Sequence, residues 1–165
     1  MTLKTPAIVL AALMMTSVAG ASPADLELTS GTATLTIKDR DATLEPTSVI
    51  SLDLEWQSDS GGAMSAQTQR FAGRLMRVVT IPGYGGANPT GDYSLTITDQ
   101  GGLDLLGGMG ADRDTSDTQE IYPMVSIASG ATTISAPVVF FGPLQIEVTG
   151  TSTSAAGLAR IFVER

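Results

Sequence analysis

Along residues 50–57 the chain alternates without interruption: Ile50, Leu52, Leu54 and Trp56 fall on one side of an extended backbone, and Ser51, Asp53, Glu55 and Gln57 on the other. Successive side chains of a strand point to opposite faces, so a period of two predicts a strand with one face in a core and the other toward water. The same pattern recurs between Gly, Pro and Ser clusters. Leu26 and Leu28, then Ala33, Leu35 and Ile37, predict two short strands closed by a turn at Asp39, Arg40 and Asp41. Residues 70–81 predict a long strand with a bulge at Gly73, and Tyr93, Leu95 and Ile97 alternate with Ser94, Thr96 and Thr98. Further strands are expected at residues 103–106, 121–127, 132–141, 144–148 and 158–163, with loops at 58–62 and 84–91. Helical periodicity is nearly absent. So many short strands predict an all-β fold, an antiparallel β-sandwich or jelly-roll-like single domain over residues 22–165.

The first residues break this pattern. Lys4 precedes an apolar run over residues 7–18, and Ala19, Gly20 and Ala21 then give the small-x-small form of a signal-peptidase site. Residues 1–21 therefore read either as a secretory signal peptide or as an apolar N-terminal arm packed on a neighbouring subunit. Starts at Met14 or Met15 are further alternatives. The run is short for a bilayer, and Ser22, Pro23, Ala24 and Asp25 follow it in place of a positive stop, so no stable membrane span is expected.

Composition narrows the chemistry. Of 165 residues 42% are hydrophobic and 16% charged, enough apolar surface for one core. The net charge of -8, with no cluster of Lys and Arg, argues against nucleic acid as a partner. There is no His and no Cys, which removes Ser-His-Asp and Cys-His nucleophiles, His or Cys zinc sites and thiol redox chemistry. Oxygen-ligand metals and carboxylate chemistry remain.

Three constellations repay inspection. The stretch 101–114, GGLDLLGGMGADRD, invites comparison with a phosphate cradle, but Gly108-Met109-Gly110 is followed by neither the spaced Gly of a dinucleotide fingerprint nor the Lys of a P-loop. Asp112, Asp114, Asp117 and Glu120 offer hard oxygen ligands. Counting from Asp112, however, the sixth position is Asp117 where an EF-hand needs Gly, and the twelfth is Pro123 where it needs Glu. At most a weak calcium site at Asp112, Asp114 and Asp117 is expected, and no other metal or cofactor site. Asp53 and Glu55 lie two apart on what reads as a solvent-facing strand surface, which leaves them hydrated neighbours and not an acid and base across a cleft. Trp56 and Tyr93 stand in register with aliphatic core positions, whereas Tyr84, in a Gly-rich loop, is expected to project. No catalytic residue is assigned.

The segments ISLDLEWQSDSGG, RLMRVVTIPG, GDYSLTITDQGGLDLLGGMGADRDTSDTQE and GLARIFVER together resemble a group of small β-sandwich structural proteins from the virions of tailed bacteriophages. The matching positions are Asp92, Tyr93, Thr96, Thr98 and Asp99, then Gly102, Asp104, Leu106, Gly108, Gly110, Arg113, Thr115, Thr118 and Glu120, within residues 49–165. The resemblance implies a non-enzymatic head-decoration or tail-associated subunit whose partners are itself and other virion subunits. It also implies that Leu103, Leu105 and Leu106 enter the core and that Asp104 and Arg113 pair to pin the loop. The alternative is a secreted or periplasmic β-sandwich binding module, for a surface or a carbohydrate, exported by residues 1–21.

Overall fold

A computed structural model describes residues 26–39, 49–129 and 132–165; the N-terminal segment and the turn at Arg40 and Asp41 lie outside them. The strands are β1 (Glu27–Ser30), β2 (Thr32–Asp39), β3 (Val49–Gln57), β4 (Met64–Gln67), β5 (Phe71–Pro82), β6 (Ser94–Thr98), β7 (Gln119–Ile121), β8 (Met124–Ser129), β9 (Thr132–Gly142), β10 (Gln145–Thr149) and β11 (Ala156–Glu164). No helix occurs among the described residues. The strands form two antiparallel sheets: a four-stranded one in the order β1-β4-β10-β6, and a seven-stranded one in the order β2-β3-β11-β5-β9-β8, with β7 also paired to β5.

The alternation of β3 explains the centre of the larger sheet. Its apolar face, Ile50, Leu52, Leu54 and Trp56, lies beside Ala159, Ile161 and Val163 of β11 and Leu75 and Val78 of β5. Met64 and Ala66 of β4, Leu95 and Ile97 of β6, and Ile146 and Val148 of β10 belong to the same buried cluster, so both sheets contribute to one core. Each large aliphatic side chain buried there is worth roughly 1.5–3 kcal/mol relative to exposure. Trp56 and Tyr93 are both in it, with ring centroids 5.7 Å apart.

The chain passes from one sheet to the other at Gly31. Its φ of +68° is one that L side chains rarely adopt, and a Cβ would stand 2.5 Å from the Gln57 carbonyl oxygen. β1 and β2 are therefore consecutive in sequence yet belong to different sheets.

Three strand expectations are corrected. The irregularity in β5 falls at Met76, where the register with β11 slips between Phe162 and Val163. Gly73 instead allows close approach, because a Cβ there would lie 2.4 Å from Val163 Cγ1. Residues 121–127 are not one strand: Pro123 has no N–H to donate, and the chain divides around it into β7, paired with β5, and β8, paired with β9. Residues 103–106 form turns with one isolated bridge, Thr98 to Asp104.

Candidate functional surface

The Gly-rich stretch lies along the free side of β6. Leu105 N–H donates to the Ile97 carbonyl at 2.7 Å, Leu95 N–H to the Gly110 carbonyl at 2.8 Å, and Arg113 N–H to the Tyr93 carbonyl at 2.7 Å. These bonds occupy edge groups that an open strand would offer to another chain. Gly110 makes this possible, since a Cβ there would stand 1.8 Å from the Leu95 carbonyl oxygen. Leu105 and Leu106 plug the core beneath the strap, but Leu103 is 60% exposed. Asp104 and Arg113 do not pair. Asp104 accepts the N–H groups of Leu106 and Gly108 at 3.0 and 2.7 Å, holding its own turn. Arg113 donates from Nε and an amino nitrogen to the Ala111 carbonyl.

The acidic loop that follows is likewise tied to itself. One oxygen of Asp114 accepts the Ser116 N–H, the Ser116 hydroxyl and the Asp117 N–H within 2.7–2.9 Å, and the two backbone donors, first among the causes, hold its carboxyl below the usual range. Asp112 is exposed with φ of 50°, and Asp117 is exposed. No group of three or more acidic side chains suited to a metal ion occurs among the described residues, so Asp112, Asp114 and Asp117 are not gathered into a ligand set.

The face of the seven-stranded sheet turned away from the core carries a second, unanticipated feature. Asp53 is not hydrated; it is 3% exposed. Its Oδ1 accepts Arg160 Nε at 2.7 Å, and its Oδ2 accepts an Arg160 amino nitrogen at 2.9 Å and Lys38 Nζ at 2.6 Å. Burial alone pushes the Asp53 carboxyl up, but the hydrogen bonds and charges of Arg160 and Lys38 outweigh it and hold the group below the usual carboxylate range. The Asp53 hydrogen bond in turn raises Arg160. Both cations sit on neighbouring strands, with Arg160 directly opposite Asp53 in the β11 register. Glu55 remains exposed. Nearby, the Arg77 guanidinium stacks 4.3 Å from the Phe162 ring centroid and reaches Glu120, whose other oxygen accepts the Tyr122 hydroxyl.

With its carboxylate consumed by two cations, Asp53 has no free oxygen for acid–base work. Tyr93 is buried, which pushes its phenol up. Tyr84 projects, as expected, and so does Tyr122.

Farther along the same face the surface becomes apolar. Val138 and Phe140 of β9 face the core, so Val139 and Phe141 face outward, at 52% and 71% exposure. Val139 lies opposite Arg74, Phe141 opposite Ala72, and Met124 of β8 opposite Pro137. Met76, Met124 and Val125 are also exposed. No charged residue occurs between Glu120 and Glu147. No helix long and apolar enough to cross a membrane occurs among the described residues.

The chain matches no protein-family model, no curated protein and no solved structure.

Proposed function

We propose that the chain is a non-enzymatic structural subunit of a tailed-phage virion, a head-decoration or tail-associated protein that acts through protein–protein contacts. The observation that carries this reading is the outward pair Val139 and Phe141, with Met76 and Met124 on strands of the same sheet, in a chain of net charge -8. Large exposed apolar patches mark interaction sites in soluble proteins, and here Val139 and Phe141 lie two apart on one strand with Met124 opposite Pro137 beside them. The resemblance of residues 49–165 to small virion proteins agrees with it, and the sheets are read as the two layers of a jelly-roll-like sandwich because they share one core. The strap over β6 fits a repeated subunit, which must join its neighbours at chosen surfaces and not at every free edge.

The test is association with particles. Val139→Lys and Phe141→Lys together, at exposed positions, should leave the melting temperature nearly unchanged and release the chain from virions purified on a density gradient. Retention of the double variant on particles would remove this face from the account.

A further inference from the structure

The two sheets end in five strands, and four of those edges are managed. β7, paired only to β5, is three residues long. β6 is strapped by the 99–113 segment through backbone hydrogen bonds. β1 is four residues long, and its register slips between Leu28 and Ser30. β2 carries Lys38, whose charge is held at that edge by Asp53. Short length, bulges, Lys and covering segments are the ordinary means by which proteins keep sheet edges from pairing.

Among the described residues β8 has none of them. It is six residues long, pairs with β9 in unbroken register from Met124–Pro137 to Ser129–Thr132, and has no strand on its other side among the described residues. β9 leaves β5 beyond Val138, where Pro137 cannot donate to the ladder, and β7 takes the vacated length of β5 at Val78 to Thr80. Beyond that point β8 and β9 form a two-stranded ribbon, an arrangement that is marginal in water without a third strand. Met124, Val125 and Ser126 are exposed.

We infer that β8 is the pairing edge of a homodimer, in which the β8 strands of two copies run antiparallel across a two-fold axis and join the seven-stranded sheets into one. Charge leaves this edge open to a second copy, and symmetry favours one. Two copies of a chain with net charge -8 repel over most of their surfaces, and β8 lies within the uncharged stretch between Glu120 and Glu147. An isologous contact places uncharged edge on uncharged edge and supplies each ribbon with its third strand. The inference rests on the structural-subunit reading and names the first partner of that subunit.

Sedimentation velocity on the full chain tests it. The wild type should sediment as a species of twice the 17.0 kDa chain mass, with the outward backbone amides of residues 124–129 protected from hydrogen exchange. Met124→Lys with Val125→Lys, which sets like charges against each other across the two-fold, should give a monomer with unchanged circular dichroism and lose that protection. Thr29→Lys on β1 should leave the dimer intact. If the double variant does not fold, Ser126→Lys carries the same test. A wild type that stays monomeric at high concentration, or a dimer that survives the β8 lysines, overturns the inference. A monomer that still bands with virions would sink the dimer alone and leave the structural-subunit reading standing.

Discussion

Arg160 grips Asp53 through both carboxylate oxygens, at 2.7 and 2.9 Å, from the directly opposing position on the neighbouring strand. With Lys38 closing from the other side, the arrangement fastens β2, β3 and β11 on the outer face of the sheet while their aliphatic residues fasten the inner one. Asp53→Ala should cost about 1–3 kcal/mol, less than a fully buried pair because both cations are part-exposed. Urea unfolding at neutral pH measures it.

The same site sets a pH dependence. Asp53 has a native pKa below its unfolded value, so its contribution is present above about pH 4, near the unfolded value, and is lost as pH falls through the lowered native one. Stability should therefore fall on acidification over that window, and Asp53→Asn should flatten the fall. An identical acid limb in wild type and variant would show that Asp53 does not contribute to it.

Trp56 lies in the core beside Tyr93. Trp56→Ala should cost about 3–5 kcal/mol, and native Trp56 fluorescence should be that of a buried indole. Emission typical of water-exposed indole would contradict the β3 register.

What was legible in the sequence follows from what one strand can reveal about itself. The alternation in β3 and β6 shows which residues turn inward, and Trp56 and Tyr93 are where it places them. Pairing across strands is not written in any single strand. Asp53 looked hydrated because its neighbours Ser51 and Glu55 are polar, whereas its environment is made by Lys38 and Arg160, 15 and 107 residues away. Leu103 looked like core, but Asp99 binds the Gly101 and Leu103 N–H groups and turns the chain there, leaving Leu103 outside. Gly73 looked like a bulge; its cause is Val163 on another strand.

Gly110→Ala puts a methyl group against the Leu95 carbonyl. It should cost about 1–3 kcal/mol, as overpacking does, and speed exchange of the Leu95 amide, which the Gly110 carbonyl accepts. Exchange measured by NMR would show it; an unchanged Leu95 amide would mean that the strap does not guard the β6 edge.

Asp114 already spends one oxygen on its own turn. Neither calcium nor a chelator should move the melting temperature, whereas a rise that grows with calcium concentration would establish a ligand site at Asp112, Asp114 and Asp117.

The central claim, that this is a structural subunit of a virion, is tested most directly by quantitative mass spectrometry of gradient-purified particles from the natural source. The chain should be recovered in multiple copies per particle. Its recovery only as free protein in the medium or periplasm, beginning at Ser22, would contradict the account and favour the exported binding module.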